Sequence, residues 1–552
     1  MSEQEILNLL KNNKFIKAKE LIENLLKSEK ENLTYKFYYG LILANDRRYK
    51  EAIPFFEKVL FADRNHYDSN FNLAGCYQGL LIFDKAIEYY KNCSKIDLNK
   101  FEPYHQIGVC YRQMREYEDS VTYLNKALKI SVNAKTLYVL GNVYRENGQF
   151  EEARKSFEKS LSLNNGFTQS KLSIANLEID NGNYDKASKM LDEIIQSDNS
   201  DQILISTKIM IGHILKAKGE YEKAIKINQD VLEKDSKNID ASYNISLCYL
   251  FTKEYEKAWY FHESRYNLQN LVLLKQIYES FDKPKWDLSR PKKNVLFYGE
   301  QGIGEQIIYS QFFETIRNQF NNSTIAVNEK LIPFFKEIYP DTKIINYKKI
   351  FEYTDYDYHL PMGSMGLYFQ KNINQNNLQR KITYSSNSKI PKKTKKFRCG
   401  ISWKSTNRIF GNKKSIKLES LKSILTHKDI EFINLQYSDE TEEINLTEKK
   451  LNKKIFTQHE IDCFNDIDGV ASLIQSCDFV ITVSNSNAHI SGKLGKKTFL
   501  LLPFNDGKLW YWGLNKDKNI VWYPSILPIR QETINNWDSC LTKLYKEFEN
   551  YL

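Results

Sequence analysis

A unit of about 34 residues recurs through the first half of the chain and constrains the fold more than any other feature. In each unit a small residue stands three positions after an aromatic one and, from the second unit on, twelve positions after another small residue. Two packed helices per unit explain this spacing, because small residues let the helix backbones approach while the aromatic side chain fills the space between neighbouring units. The small residues are Ala18, Ala52, Ala86, Ser120, Ala153, Ala187, Ala224 and Ala258, the aromatic residues are Phe15, Tyr49, Phe83, Tyr117, Phe150, Tyr184, Tyr221 and Tyr255, and the earlier small residues are Gly40, Ala74, Gly108, Gly141, Ala175, Gly212 and Ser246.

The spacing closely resembles the tetratricopeptide repeat (TPR), which implies an all-α TPR superhelix of about eight repeats over residues 1–266. TPR arrays present a concave surface that binds peptides or proteins, so we expect a protein partner there. The interval from Ala187 to Ala224 is 37 residues, which predicts a longer loop around residues 197–202. Four tyrosines recur nine positions before the small residue and are interpreted as packing residues in preference to a ligand ladder: Tyr77, Tyr111, Tyr144 and Tyr249.

Composition limits the class of protein. The 552 residues are 41% hydrophobic and 13% aromatic, which is enough for about three folded domains. No run of about 18 apolar residues occurs, and the start of the chain is polar and amphipathic, so we expect a cytoplasmic protein without a signal peptide or membrane insertion. The eight cysteines are scattered without metal-binding spacing, which favours buried free thiols.

The net charge of +10 comes entirely from the second half of the chain. Residues 1–266 contain 38 basic and 38 acidic residues, whereas residues 267–552 contain 41 and 31. Residues 380–417 alone contain 13 basic residues and no acidic one. This cluster fits a phosphate-bearing ligand or a solvated Lys-rich linker, and less well a nucleic acid, whose binding would depend steeply on salt.

Residues 477–503 predict a β-turn-α-β unit of a parallel sheet. Two short apolar runs, residues 479–483 and 498–502, have the composition of buried strands. Between them, residues 484–487 supply turn and N-cap chemistry before a helix predicted over residues 488–493. In a parallel sheet the ligand crevice lies at the carboxyl ends of the strands, where helix N-termini attract phosphate. The sequence therefore predicts a phosphate-binding turn at residues 484–489.

A glycine-rich turn follows another predicted strand, residues 294–298. The turn, residues 299–306, has the sequence Gly-Glu-Gln-Gly-Ile-Gly-Glu-Gln and leads into a helix predicted over residues 307–317. Glycine allows a tight turn and a close approach of the backbone to a ligand. The spacing fits neither a Walker A loop nor the dinucleotide-binding motif. Further strands are predicted at residues 324–327, 343–346, 397–403 and 431–436.

These segments resemble the TPR-repeat glycosyltransferases, in which a TPR array is fused to a GT-B domain similar to bacterial heptosyltransferases and O-GlcNAc-transferase-like enzymes. The resemblance implies an α/β GT-B fold of two Rossmann-like domains after the array. A linker at residues 267–291 would lead to an N-terminal, acceptor-side domain over residues 292–390 and a C-terminal, nucleotide-sugar-binding domain over residues 391–552. A last helix over residues 535–552 is expected to pack back on the first of these domains.

The resemblance also assigns roles by position. Glu305 matches the acid that serves as general base on the acceptor hydroxyl, with capping of a helix N-terminus as the alternative. The polar turn commonly begins with Asp-Thr in the family, whereas here Ser484 and Asn485 keep hydroxyl and amide groups that can bond a nucleotide diphosphate. The donor-binding residues carried over are Gly302, Gly304, Lys404, Lys414, Gln436, Ser484, Asn485, Ser486 and His489, with Arg408 as an alternate cation.

Two further motifs are weaker. Residues 359–364 resemble a Pro-x-Gly-Ser loop on the acceptor side, and a purely structural turn is the alternative. The sequence Asp355-Tyr356-Asp357 copies a metal-binding DxD motif without supporting context. Because GT-B enzymes typically need no metal, we expect no metal and no cofactor other than the nucleotide sugar as substrate.

The function expected from the resemblance is an inverting, metal-independent glycosyltransferase that moves a sugar from a nucleotide sugar to an acceptor recruited by the TPR array, such as a protein hydroxyl. A surface polysaccharide precursor is an alternative acceptor. A different class of function is a TPR scaffold with a catalytically silent transferase domain. The transferase interpretation requires residues 302–305 and 484–489 to meet in one cleft.

Overall fold

The computed structural model describes residues 2–268, 277–300, 302–316, 319–370, 384, 390, 394–407, 411–504, 509–513, 520–533 and 536–552. The chain divides into two compact units, Met1–Glu178 and Ile179–Leu552. Their boundary falls within the helix Thr168–Asp180, so it does not coincide with the end of a repeat. The four domain ranges expected from the sequence stay a prediction.

The first unit is a series of antiparallel helix pairs. Every second helix begins at the aromatic residue that the spacing singles out, and the small residue three positions later is fully buried. The predicted two-helix unit is therefore confirmed. The helices are α1 Ser2–Lys11, α2 Phe15–Ser28, α3 Leu33–Asn45, α4 Tyr49–Ala62, α5 Tyr67–Gly79, α6 Phe83–Ile96, α7 Glu102–Met114, α8 Tyr117–Ile130, α9 Ala134–Glu146, α10 Phe150–Leu163 and α11 Thr168–Asp180.

Small residues bring the two helices of a pair into contact. A Cβ added at Gly141 on α9 would lie 2.5 Å from the Phe157 ring on α10. In the preceding pair, the Ser120 hydroxyl donates a 2.7 Å hydrogen bond to the Gly108 carbonyl. Tyr77 is buried and stacks on Tyr89 at 5.7 Å between ring centroids, which fits the packing role expected of these tyrosines.

The helix pairs continue in the second unit and end in a 3-10 turn, Glu263–Asn267. The longer loop expected around residues 197–202 is wrong, because only residues 198–200 separate two helices there, and α13 has 18 residues. The inserted residues extend this helix, since the segment contains no residue that stops it before Gly219. The helices are α12 Tyr184–Ser197, α13 Asp201–Lys218, α14 Tyr221–Lys234, α15 Ile239–Thr252 and α16 Tyr255–His262.

A four-stranded parallel sheet follows the helix pairs. Its order is β3-β2-β1-β4. The helix after β1 begins four residues earlier than the sequence indicates, because the glycine-rich turn already contains its first residues. The strands are β1 Asn294–Tyr298, β2 Asn322–Val327, β3 Lys343–Asn346 and β4 Tyr358–Pro361, and the helices are α17 Ile303–Ile316, α18 Ile332–Ile338 and α19 Met365–Phe369.

A second parallel sheet has six strands in the order β10-β9-β8-β5-β6-β7. Strands β8 and β9 have the predicted bounds, and the helix between them begins two residues early. The strands are β5 Phe397–Ser402, β6 Ile430–Asn434, β7 Ile455–Phe456, β8 Phe479–Val483, β9 Thr498–Leu502 and β10 Ile526–Arg530. The helices are α20 Gly411–Lys414, α21 Lys422–Leu425, α22 Thr441–Leu451, α23 Ile467–Ser476, α24 Ser486–Lys493 and α25 Asp538–Glu549.

Both sheets have a doubly wound strand order. Numbered from its own first strand, the small sheet has the order 3-2-1-4 and the large sheet 3-2-1-4-5-6. The order reverses direction between β1 and β4 and between β5 and β8, and ligands of such sheets bind outside the carboxyl ends of these strands. The GT-B arrangement itself stays a prediction.

The last helix, α25, packs on the six-stranded sheet. Its buried residues Cys540, Leu544 and Phe548 belong to the core of that sheet, and the Phe548 ring lies 5.9 Å from Phe479 on β8. The expected packing on the first sheet domain is therefore wrong. An amphipathic pattern identifies the buried face of a helix and not the surface that covers it.

Seven of the eight free cysteines are buried, as the sequence suggests. Among the described residues, no helix is long and apolar enough to cross a membrane.

Replacing Gly141 by alanine tests the close approach of α9 and α10. Overpacking against Phe157 costs about 1–3 kcal/mol, partly offset by about 1 kcal/mol of helix propensity. We expect a lower urea midpoint, measured by far-ultraviolet circular dichroism on the full chain. Gly166→Ala is the control, because this exposed glycine has only the Asn164 side-chain oxygen, at 3.4 Å, near the added Cβ. Equal midpoints for both variants would contradict the packing argument.

Candidate functional site

Asn485 holds together the carboxyl ends of β5 and β8. Its side-chain amide donates to the Ser402 hydroxyl at 2.8 Å and to the Lys404 carbonyl at 3.2 Å. Its side-chain oxygen accepts from the Asn487 backbone N–H at 3.1 Å and so caps α24. Asn485 therefore shapes the crevice at this switch point.

Gln436 shapes the loop that follows β5. Its side-chain oxygen accepts 3.0 Å hydrogen bonds from the backbone N–H groups of Trp403 and Lys404. The residue is buried. Because these two N–H groups point at Gln436, the residue positions the loop in the arrangement observed.

Lys404 and Lys414 have different surroundings. The Lys404 ammonium is one third exposed and pairs with two carboxylates, Glu440 and, at 2.7 Å, Glu443. Burial opposes its charge, but the two glutamates outweigh that effect and raise the pKa of Lys404. Lys414 is buried, and burial lowers its pKa to about 8 although Glu305 acts in the opposite direction. Arg408 lies outside the described residues.

Glu305 lies in the first turn of α17 and is partly buried. Burial raises its pKa, whereas a hydrogen bond from its own backbone N–H and the Lys414 ammonium lower it. A Cβ added at Gly302 would lie 3.0 Å from its carboxylate, so the turn folds closely over this group. The hydrogen bond from its own backbone N–H fits the helix-capping alternative, whereas the electrostatic interaction with Lys414 also fits a reactive carboxylate.

His489 brings the two predicted segments together. A Cβ added at Gly304 would lie only 2.7 Å from the His489 ring, so α17 and α24 meet at this point. The ring is buried, its Nδ1 lies 3.1 Å from the Tyr523 hydroxyl, and its centroid lies 4.7 Å from that of Trp512. Burial, with a smaller contribution from Lys414, lowers the pKa of His489 to about 3. The imidazole is therefore neutral at physiological pH.

The serines of the polar turn differ in exposure. Ser484 is buried, and its hydroxyl accepts a 2.9 Å hydrogen bond from the Trp512 indole N–H. Ser486 opens α24 and is partly exposed. Within this turn Ser486 is thus the more accessible hydroxyl, and the donor-binding roles of both serines stay predictions.

Three tyrosines that the sequence did not assign to the site interact electrostatically with Glu305. Tyr511 and Tyr523 interact electrostatically with its carboxylate, and burial followed by this charge raises the pKa of both. Tyr243 on α15 does the same from the last helix pair, and its pKa rises to about 12. No sequence signal distinguishes Tyr243, because the equivalent residues of earlier repeats include Phe71 and Tyr138.

The two weaker motifs also have defined positions. Asp357 accepts a 3.1 Å hydrogen bond from the Asn294 backbone N–H, which is a structural contact at the beginning of β1. The Gly363–Ser364 part of the Pro-x-Gly-Ser-like loop follows β4 and contacts Glu300 of the glycine-rich turn.

Comparison with protein families identifies the repeats. Tetratricopeptide repeat models match residues 4–67, 101–165 and 144–206, and a model described as anaphase-promoting complex, cyclosome, subunit 3 matches residues 45–127. The N-terminal half of the chain therefore contains TPR repeats, as the sequence spacing predicts. TPR repeats are a protein-interaction architecture.

A curated relative is Protein FlbA of Caulobacter vibrioides (strain ATCC 19089 / CIP 103742 / CB 15). It is 21% identical over 277 residues, which cover 46% of each chain. The match thus spans about half the length of the relative.

Three of the solved structures that are similar to parts of the chain illustrate the range of identity and coverage. A tetratricopeptide repeat protein from Parabacteroides merdae ATCC 43184 is 16% identical with a TM-score of 0.40, covering 45% of this chain and 98% of that one. MamA from Desulfovibrio magneticus RS-1 is 18% identical with a TM-score of 0.29, covering 30% and 94%. The APC/C hetero-tetramer Cut9-Hcn1 is 14% identical with a TM-score of 0.35, covering 48% and 52%. At these TM-scores the likenesses carry no further argument.

Lys414→Met should stabilise the protein at pH 7. The pKa of Lys414 is about 8 in the folded protein and 10.5 for an ordinary lysine, so the unfolded chain binds more protons between these values and stability rises with pH across that window. Below pH 8 the cost of the buried charge is fully present. We expect the variant to gain about 1–3 kcal/mol at pH 7 and less at pH 10.5, measured by calorimetric unfolding.

The exposed Lys422 provides the matched control, and Lys422→Met should change little at either pH. A gain for Lys414→Met that is the same at pH 7 and pH 10.5 would show that the buried charge is not its cause.

Proposed function

We propose that the protein is a glycosyltransferase that moves a sugar from a nucleotide sugar to an acceptor recruited by the TPR repeats. The observation that carries the proposal is the close approach of the two turns, since a Cβ added at Gly304, next to Glu305, would lie 2.7 Å from the His489 ring. Glu305 and Lys414 also interact electrostatically. Glu305 follows β1 and Lys414 follows β5, so each lies beyond the carboxyl end of a strand at a switch point. Ligand sites of doubly wound sheets occur at such points.

Lys414 suits the donor diphosphate. A buried ammonium has lost its hydration, which is why its pKa is low. A bound diphosphate would place negative charge next to Lys414 and so favour its protonated form. In the transfer step this charge stabilises the leaving nucleoside diphosphate as its bond to the anomeric carbon breaks. Ser486, partly exposed at the N-terminus of α24, would add a hydroxyl on the same side.

Glu305 suits a general base. A raised pKa makes its carboxylate a stronger base, which matches the task of removing the acceptor proton near neutral pH. The acceptor oxygen would form a bond to the anomeric carbon, its proton would pass to Glu305, and the electron pair of the broken bond would leave with the diphosphate. One such displacement inverts the anomeric configuration, and it requires no metal.

A protein hydroxyl is the acceptor we favour, because TPR repeats bind proteins. Nucleotide sugars are cytoplasmic metabolites, so the reaction would take place in the cytoplasm. A polysaccharide precursor would instead need an acceptor-binding site formed by the two sheet domains, without the repeats.

A TPR scaffold with a silent transferase domain is the second candidate, and two contacts favour it. Lys404 is already paired with Glu440 and Glu443. The Ser484 hydroxyl is already bonded to Trp512. A diphosphate would have to compete with these partners.

Nucleotide binding separates the two candidates. Calorimetry with UDP, GDP, ADP and CMP should detect one nucleotide that binds the full chain, and Lys414→Met should weaken that binding about 10-fold or more, since a charge-assisted contact contributes about 1.5–3 kcal/mol. Lys422→Met should bind as the unchanged protein does. The absence of binding to all four nucleotides would support the scaffold.

Glu305→Gln should lower kcat about 10²- to 10⁴-fold while leaving the donor Kd unchanged, because the amide keeps the shape and loses the basic group. In the unchanged enzyme, kcat/KM should rise as pH passes the raised pKa of Glu305 and fall as pH passes about 8, where Lys414 loses its proton. Turnover is measured with the nucleotide sugar whose nucleotide binds. Glu329→Gln, at an exposed carboxylate on the same sheet domain, is the control. Unchanged turnover in Glu305→Gln would refute the assignment of the base.

A further inference from the structure

Arg265 lies in the 3-10 turn directly after the last repeat helix, and its side chain is fully buried. Its guanidinium donates to both carboxylate oxygens of Glu300, at 2.8 and 2.9 Å. It also donates to Glu263 at 2.8 Å and to the Ser364 hydroxyl at 3.0 Å. Planar two-point pairing of this kind fixes geometry as well as charge.

Glu300 connects this arginine to two loops at the carboxyl edge of the small sheet. It follows β1, and its carboxylate also accepts a 2.7 Å hydrogen bond from the Gly363 backbone N–H, after β4. A Cβ added at Gly363 would lie 2.9 Å from Glu300 and 3.0 Å from Arg265. The loops after β1 and β4 therefore close around one buried ion pair.

The charges of this cluster are balanced within it. Burial disfavours the charged form of Glu263, but Arg265 and Lys285 outweigh burial and lower its pKa to about 2. Lys285 reaches the other oxygen of Glu263 at 2.5 Å. Loss of Arg265 would leave the buried Glu300 carboxylate without its ion-pair partner. An unpaired buried charge strongly destabilises the surrounding structure.

Glu300 stands five residues before Glu305 in the same turn. The far end of that turn is held by Gln306, whose side-chain oxygen accepts from the Asn328 backbone N–H at 3.0 Å. The near end is held by Arg265. Displacement of a reacting group by about 1 Å can cost about 100-fold in rate, so the anchor at the near end bears on the position of the Glu305 carboxylate.

We infer that Arg265 is a positioning residue, which holds the glycine-rich turn through Glu300 and thereby couples the end of the TPR repeats to the candidate site. Its effect on catalysis rests on the proposed function. Its effect on the turn does not. A second ion pair with a buried arginine lies away from the candidate site: Arg398 pairs with the partly exposed Glu431 at 2.6 Å near the amino end of β5.

The test compares Arg265→Met with Arg398→Met in the full chain. Hydrogen exchange followed by mass spectrometry should be about 10-fold faster or more over residues 302–307 in Arg265→Met, and unchanged there in Arg398→Met, because Arg265 holds the near end of the turn and Arg398 lies at the opposite edge of another sheet. With an active donor, Arg265→Met should lower kcat about 10- to 100-fold and shift the acidic limb of the pH profile, while the donor Kd changes less than about twofold. Arg398→Met should lower the unfolding temperature without these changes.

Arg265→Lys keeps the charge and loses the two-point geometry, so its exchange and kcat should lie between those of the unchanged protein and Arg265→Met. If Arg265→Met does not fold, Arg265→Lys and the double variant Arg265→Met with Glu300→Met, which removes both charges, take its place. Unchanged exchange over residues 302–307 in a folded variant would overturn the inference. Absence of transfer by the unchanged protein with every donor would overturn the proposed function, and the exchange result would still decide the role of Arg265.

Discussion

The contact between Gly304 and His489 is the constraint on which the candidate site depends. A larger residue at this position would force a shift, because its Cβ would lie 2.7 Å from the buried His489 ring. The first turn of α17 therefore lies directly on α24, and the carboxyl edges of the two sheets meet. Buried Lys493 reinforces the junction, since its ammonium reaches Gln311 and Tyr339, on the four-stranded sheet's side, at 3.2 and 2.9 Å.

Burial has opposite chemical consequences for the groups that meet at this junction. It raises the pKa of Glu305 and lowers those of Lys414 and His489. Each group is thus shifted toward its neutral form, and Glu305 and Lys414 resist that shift by supporting each other's charge. His489 has no such support, because Lys414 disfavours its protonation as well. The histidine is consequently suited to packing and neutral hydrogen bonding, and an acid–base role falls to the carboxylate.

The sequence predicts the regular parts of the fold well, because they follow from local periodicity. The aromatic and small positions gave the first residue of every second helix, and strands β1, β3, β8 and β9 have the predicted bounds. The errors concern information that periodicity does not contain. The added residues before Ala224 could have extended either a loop or a helix, and they extend a helix. The apolar face of α25 likewise does not indicate which of the two sheets it covers.

The sequence predicted which loops form the candidate site, but it did not predict which side chains contact one another there. Motif position identified Glu305, Lys414 and His489, and the structure brings these three together. The sequence could not show that Lys404 pairs with Glu440, because a single sequence contains no signal that pairs two charges 36 residues apart. Sequence reasoning also missed Arg265, because arginine is usually exposed and nothing in the sequence marks this one as buried.

The location of the two buried arginine pairs follows from the direction of parallel strands. A buried ion pair gives little net stability over an apolar pair of similar volume, so its retention calls for another reason. At the amino end of β5, Arg398 and Glu431 join two neighbouring strands, at the opposite edge of the sheet from the candidate site. At the carboxyl end of β1, Arg265 and Glu300 join the 3-10 turn after the last repeat helix to the turn that carries Glu305. In a doubly wound sheet, loops at the carboxyl edge bear ligands, so the same chemical pair acts there on the geometry of a site. A displacement at the end of α16 would therefore reach the glycine-rich turn through the Arg265 guanidinium and the Glu300 carboxylate.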